Sequence, residues 1–201
     1  AHATVQSVRK TAYGALYEVV VNGDVIYTDE KAEYLFIGKV VNADTKADQT
    51  ALRIGEVNKI DFADLPLDAA VKTVKGNGKR VIAVFEDPNC GYCKKLRQSF
   101  KEMDNITVYT FLYNILSPDS AAKSANIWCA PDRAKAWDDW MTNGTAPPAA
   151  SDKCATPNDQ VMALGKKLMV NGTPAIFFAD GRRVPGFMDA KHLEEKLAAL
   201  K

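Results

Sequence analysis

The sequence predicts a mixed α+β / α/β chain, with a small antiparallel β region followed by a larger domain that alternates strands and helices. Three observations carry that prediction. Leu16–Val21 and Val25–Thr28 are β-rich segments joined through Asn22-Gly23-Asp24, and Asn-Gly supplies the positive φ of a tight hairpin turn. Arg80-Val81-Ile82-Ala83-Val84-Phe85 is a continuous apolar, β-branched run, the pattern of a central strand buried on both faces, and a helical period follows it directly. Near the C-terminus Ala175–Phe178, an Asp180-Gly181 turn and a second short strand read as a hairpin that leads into a capped helix.

In chain order, Val5–Lys10, the 16–28 hairpin and Tyr34–Val41 are strand candidates, and together they make a β region over residues 1–60. About 50 residues of sheet bury too little surface alone and leave edges unpaired, so this region must pack on the rest of the chain or on a second copy. Residues 61–75 predict a short connecting helix, capped by Asp64 or opened by Pro66 and ended by Gly76-Asn77-Gly78, within a linker over 61–77. From 78 to 201 the expected elements are strand 81–86, helix 90–103, strand 106–113, a helical block at about 115–170, strands 175–179 and 182–185, and helix 190–200. In the block, Ser117-Pro118, Asp132 and Thr156-Pro157-Asn158-Asp159 open helices, and Asp189 caps the last helix, whose Leu193, Leu197 and Leu200 share a face. Trp128, Trp137 and Trp140 fall in the block, with core packing as their default role and an exposed aromatic patch as the alternative.

Composition removes several function classes. The 201 residues are 47% hydrophobic and 25% charged, enough apolar material for a packed core. Lys+Arg 26 against Asp+Glu 25 gives +1 without a like-charge run, which leaves no electrostatic footprint for nucleic acid or anionic membrane. No apolar stretch reaches the ~18 residues of a membrane span.

Four cysteines remain, two of them as Cys90-Gly91-Tyr92-Cys93. One CxxC is half a zinc site or a redox pair. Zinc needs four N/S ligands, and Cys129 and Cys154 form no second CxxC, while His2 and His192 lie far from all four cysteines in sequence, so redox chemistry is favoured and no metal is expected. Glu86-Asp87-Pro88-Asn89 breaks the strand, and Cys93, Leu96, Phe100 and Met103 step along one helical face, so Cys90 falls at the start of a helix. The free N–H groups and positive dipole end there favour the thiolate, the species that attacks disulfides. Cys93, one turn in, is expected to be shielded. Lys94 and Lys95 either add positive potential or are solvated helix charges. About 80 residues on, Asn171-Gly172-Thr173-Pro174 precedes a strand, with either a cis or a trans proline bond.

These features together resemble the bacterial periplasmic disulfide isomerases of the DsbC/DsbG family over nearly the whole chain: CGYC at 90–93, Thr173-Pro174 ahead of a hairpin, and Cys129 and Cys154 in a helical insertion. The resemblance implies a thioredoxin-like domain with Cys90 as nucleophile and Cys93 as resolving thiol, and a cis Thr173–Pro174 bond. Gly91, Tyr92, Thr173 and Pro174 would line the peptide site. It further implies a homodimer formed through the N-terminal domain, mis-oxidised exported proteins as clients, associated chaperone activity, and a membrane reductase of the DsbD kind as electron donor. No cofactor beyond the Cys90–Cys93 disulfide is expected, and the setting is periplasmic, with an export signal absent from the mature chain. A structural Cys129–Cys154 disulfide is preferred over free buried thiols, since a redox-active chain with an even cysteine count fits an oxidising compartment. Two departures stand out. Thioredoxin carries a buried acid six residues before its first cysteine, where this chain has Val84, with Glu86 and Asp87 closer in. The family's helix ahead of the first N-terminal strand has no counterpart in these residues. A net oxidase or reductase on the same fold, and a non-enzymatic holdase, are the rival readings.

Overall fold

The computed structural model describes residues 4–151 and 153–200 and divides into two compact units, Ala1–Lys59 and Ile60–Lys201. In the first unit, β1 (Val5–Lys10), β2 (Tyr17–Val21), β3 (Asp24–Thr28) and β4 (Leu35–Phe36) form an antiparallel sheet in sequence order. The β2–β3 turn has Asn22 at φ 51° and Gly23 at φ 82°, the doubly positive geometry that a two-residue hairpin requires. Alternation then places Val20, Val25 and Tyr27 on one face, where they are buried against Ile54 and Val57 of α1 (Gln49–Val57).

Helix α1 was not among the expected elements, and the expected strand over Tyr34–Val41 shrinks to β4. Both differences have one cause. Asn42 Oδ1 accepts the N–H groups of Asp44 and Thr45 at 3.0 and 2.9 Å and so closes a turn, and Asp48 accepts the Ala51 N–H at 2.8 Å as a helix cap. The chain beyond β4 therefore leaves the sheet, and Ile37 is 83% exposed.

The expected helix over 61–77 is also corrected. Residues 62–64 and 67–69 are single 3₁₀ turns, and β5 (Val71–Lys75) is a strand that pairs antiparallel with β7 (Ile106–Leu112). The β-branched residues Val71 and Thr73 sit two apart and suit a half-buried pleat better than a helix face, and Val71 is buried while Lys72 is exposed. Gly76 ends the strand at φ 59°, where an added Cβ would stand 2.3 Å from the Asp104 side chain.

The second unit has a five-stranded sheet in the order β5-β7-β6-β8-β9, with β6 at Arg80–Glu86, β8 at Ala175–Phe178 and β9 at Arg183–Pro185. Only β6 and β7 run parallel, joined by α2 (Gly91–Lys101) in a βαβ crossover. Between β7 and β8 lie α3 (Ser120–Trp128), α4 (Arg133–Asn143) and α5 (Asn158–Lys167), and α6 (Ala190–Ala198) closes the chain. Strand β6 supplies both faces of the core. Ala83 and Phe85 pack with Phe111, Tyr113 and Phe177 on one side, while Ile82 and Val84 pack with Leu96, Phe100, Ile176 and Leu193 on the other. Each large apolar side chain buried this way contributes about 1.5–3 kcal/mol. Glu86 follows Val84 by two residues and so lies on the α2 face, a position that matters below.

Candidate active site

Strand β6 runs out at Glu86, and the next four residues turn the chain into α2. Asp87 makes that turn rigid. Its Oδ1 accepts from the Asn89 N–H at 2.8 Å and the Ser120 hydroxyl at 2.9 Å, and its Oδ2 accepts from the N–H groups of Ile115 and Leu116 at 2.8 and 3.0 Å. One fully buried carboxylate thus ties the turn to the β7–α3 loop. Above it, the Trp140 indole N–H donates to the Pro88 carbonyl at 2.7 Å, and the ammonium groups of Lys94 and Lys123 lie 5.1 and 4.8 Å from the Trp140 ring centroid.

Cys90 is the N-cap of α2. Its Sγ accepts the Cys93 N–H at 3.2 Å, in the place that a Ser or Asp oxygen occupies at an ordinary cap, and its thiol donates to the Thr173 carbonyl at 3.3 Å. Both Cys90 and Cys93 are free thiols, 4% and 0% exposed. Hydrogen bonding from the Cys93 thiol, assisted by the Thr173 side chain and by the Cys93 and Tyr92 N–H groups, outweighs burial and lowers the Cys90 pKa to about 6. Burial foremost, and then the proton shared with Cys90, push the Cys93 thiol far up. The pair is therefore polarised into one anion and one retained proton.

Thr173–Pro174 is a cis bond. The Pro174 carbonyl accepts the Gly186 N–H at 2.7 Å, which sets the residues ahead of β8 beside those after β9. The expected site residues Cys90, Cys93 and Thr173 are thus in contact, and Pro174 is buried beside them. Gly91 opens α2, with open space where a Cβ would be, and Tyr92 projects outward at 61% exposure with the Lys95 ammonium 5.1 Å from its ring. Leu116 and Phe187 are exposed on the two neighbouring loops.

Cys129 and Cys154 form a disulfide. It packs against the same apolar cluster as Cys90, Cys93, Trp128 and Trp137, so it braces the helix that carries the thiols and is not remote from it, as its distance in sequence suggests. Among the described residues, no group of three or more His, Cys, Asp or Glu side chains could hold a metal.

Neither the anchoring role of Asp87 nor the place of Arg97 on the cysteine-bearing helix is among the sequence-based expectations. The signal for Arg97 was its spacing four residues after Cys93, on the same buried helix face.

Residues 67–201 match the thioredoxin-like domain family, and residues 1–51 match the disulfide bond isomerase protein N-terminal domain. The probable thiol:disulfide interchange protein DsbC of Bordetella pertussis is 54% identical over 193 residues, 96% of this chain and 68% of that protein. The chain belongs to the DsbC family. The thiol:disulfide interchange protein DsbC of Escherichia coli is 31% identical over 185 residues, 89% of this chain and 75% of that protein. A crystal structure of a disulfide interchange protein from Neisseria gonorrhoeae superposes with a TM-score of 0.64 at 44% identity, and covers 67% of this chain and 97% of its own. The DsbC assignment explains why two families divide one chain. A small antiparallel sheet and a thioredoxin-like α/β domain are its two expected parts, and this chain has both folds. It is a thiol-disulfide oxidoreductase of that family.

Proposed function

We propose that this DsbC-family protein rearranges non-native disulfides in exported proteins in the periplasm, with Cys90 as the attacking sulfur. The observation that carries the reading is the capped, acidified Cys90 thiol beside Thr173. The Cys90 thiolate attacks one sulfur of a client disulfide, forming a Cys90–client bond and releasing the other client sulfur as a thiolate. A different client thiolate then attacks the client sulfur bound to Cys90, which regenerates the Cys90 thiolate and leaves a rearranged bridge. Where the intermediate stalls, Cys93 attacks Cys90 Sγ, the client leaves reduced, and a Cys90–Cys93 disulfide remains. A membrane reductase of the DsbD kind then supplies the two electrons that restore both thiols.

Gly91, Tyr92, Thr173 and Pro174 line the client site, with no cofactor beyond the cysteine pair, and Cys129–Cys154 stays closed as a structural bridge. The first unit, Ala1–Lys59, serves as the dimerisation domain, and the second, Ile60–Lys201, whose sheet includes β5, as the catalytic domain. Support for pairing through the first unit comes from Val5, Val8, Leu35, Phe36 and Ile37, which are exposed on the two edge strands and just beyond β4. The same copies would hold unfolded chains as a chaperone does.

Trapping tests the reading. Cys93→Ala should accumulate mixed disulfides with exported proteins through Cys90, and Cys90→Ala should accumulate none and fail to reactivate scrambled ribonuclease. Equal reactivation by Cys90→Ala and the unaltered protein would overturn it. Aggregation suppression that survives loss of both cysteines, without isomerase activity, would favour a holdase. A monomer by light scattering at micromolar concentration would remove the dimer.

A further inference from the structure

Escape by Cys93 requires its thiol to lose a proton inside a site that disfavours the anion. Cys93 is fully buried, which pushes its thiol up, and no solvent reaches it to take the proton. Two carboxyls stand near it in sequence, Glu86 and Asp87, and they differ in what they have left to give.

Asp87 is saturated, with both oxygens engaged by two donors each, in bonds that hold the turn. Glu86 is not. It is fully buried on the α2 face of β6, the face of Ile82 and Val84, and its Oε2 accepts only from the Thr110 hydroxyl at 3.2 Å. Its Oε1 is buried with no hydrogen-bond partner. The Arg97 guanidinium and the Trp137 indole N–H are the donors that act on this carboxyl, and Arg97 Nε and Nη1 are likewise buried without a hydrogen-bond partner among the described residues. Arg97 is four residues beyond Cys93, a helical turn along α2, and Trp137 packs in the same cluster as Cys93. Buried polar atoms left without partners are costly, and each calls for an explanation.

We infer that Glu86 is the proton acceptor that turns Cys93 into a nucleophile, with Arg97 as the positioning residue that keeps its carboxylate available. This rests on Cys90 and Cys93 acting as proposed above. In the step, the Cys93 proton moves to the Glu86 carboxylate and the Cys93 thiolate attacks Cys90 Sγ. The Cys90–Cys93 bond forms, the Cys90–client bond breaks, and the electron pair leaves on the client thiolate. The site carries one negative charge before the transfer and one after. That conservation is the physical reason for the pairing, because the Glu86 charge itself raises the Cys93 thiol, and the two do not ionise together.

The charged and titratable groups facing Glu86 are Arg97 and Cys93 from α2 and Cys90 at its N-cap. From β7 there is the Thr110 hydroxyl, and from α4 the Trp137 indole, with Asp138 reaching it only through Arg97, at 3.4 Å. Burial raises the Glu86 pKa to about 7 against the pull of Arg97, so the carboxyl is poised to take and give a proton near neutrality. The role moves two residues along the strand, on an unchanged face, from the Val84 position where thioredoxin keeps its acid.

Reduced protein mixed with 5,5′-dithiobis(2-nitrobenzoate) releases one coloured thiolate as Cys90 attacks and a second as Cys93 resolves the adduct, so one trace separates the two steps. Glu86→Gln should keep the first phase within about threefold and slow the second about a hundredfold at pH 7, the lower end of what a positioned base contributes. The second phase should also lose its inflection near pH 7. An unchanged second phase with an unchanged pH profile would overturn the inference. Should Glu86→Gln fail to fold, Arg97→Gln serves: an inflection displaced to higher pH supports the role, and an unmoved one overturns it. Failure of the underlying reading looks different, since Cys90→Ala would then still give the first phase.

Discussion

The Cys90 thiol donates a hydrogen bond to the carbonyl of Thr173, 3.3 Å away across 83 residues of sequence. That bond lasts only while Sγ holds its proton. On ionisation the sulfur keeps the Cys93 N–H as donor, and the Thr173 hydroxyl, buried beside it and otherwise unpartnered, favours the anion. The Thr173 carbonyl then loses its donor. Activation of the sulfur and release of a backbone acceptor beside it are one event.

Carboxymethylation of reduced protein by iodoacetate should therefore follow a titration centred near pH 6, well below an ordinary thiol. The linkage has a definite sign. A folded pKa below the unfolded one contributes stability that is complete above the unfolded value, about 8.5, and is lost as pH falls through 6. The reduced form should gain stability relative to the oxidised form between pH 6 and 8.5, read as a rise of its melting temperature relative to that of the oxidised form. A constant gap across that window would contradict the assignment.

Asp87→Ala removes one carboxylate and strands four donors: the Asn89, Ile115 and Leu116 N–H groups and the Ser120 hydroxyl. The loss should be about 3 kcal/mol or more, since hydrogen bonds to a buried charge are the strong ones. Denaturant titration measures it. Hydrogen exchange at Ile115 and Leu116 should rise with it, because those amides lose their acceptor.

Replacing Cys129 and Cys154 together by Ala opens a bridge spanning 25 residues. The chain-entropy relation gives about 3.5 kcal/mol for a loop of that length. Because the bridge packs against the cluster that holds Cys90 and Cys93, the variant should also speed alkylation of Cys93, which the intact core shields.

In the first unit, Glu18 is fully buried between two cations, bonded to Arg9 at 2.9 Å and to Arg53 at 2.8 Å. Burial alone would raise its carboxyl, and the Arg9 and Arg53 hydrogen bonds outweigh it and hold the pKa low. Its contribution is present above the unfolded value, about 4.3, and is lost as pH falls through the folded one. Glu18→Gln should lower the melting temperature at pH 7 and much less at pH 3.

The elements legible in the sequence are those whose neighbours along the chain decide them. The Asn22-Gly23 hairpin, the β6 run and the Asp132 and Asp189 caps depend on local turn chemistry and periodicity, and each lies where the sequence places it. The start and stop signals Asp64, Pro66 and Gly76-Asn77-Gly78 suit a helix between them, and only pairing of Val71–Lys75 with β7 selects the strand. Helix α1 escaped notice for a related reason. Its apolar face, Ile54 and Val57, is short and becomes a signal only when the buried Tyr27 stands opposite.

By itself the sequence determined that the chain has a CxxC at a helix N-terminus after a buried strand, a Thr-Pro before a late strand, and a separate cysteine pair. Strand period, helix capping and residue spacing are short-range properties, and they need no partner from far along the chain. Tertiary structure decided what the two central carboxyls do. Glu86 and Asp87 are adjacent and chemically alike, yet the strand's pleat sends them to different surroundings. One meets four donors and becomes a clamp; the other accepts from the Thr110 hydroxyl, lies under the charge of Arg97 and keeps an oxygen with no hydrogen-bond partner. Burial and partners, which only the fold assigns, separate a structural acid from one that can hold a proton.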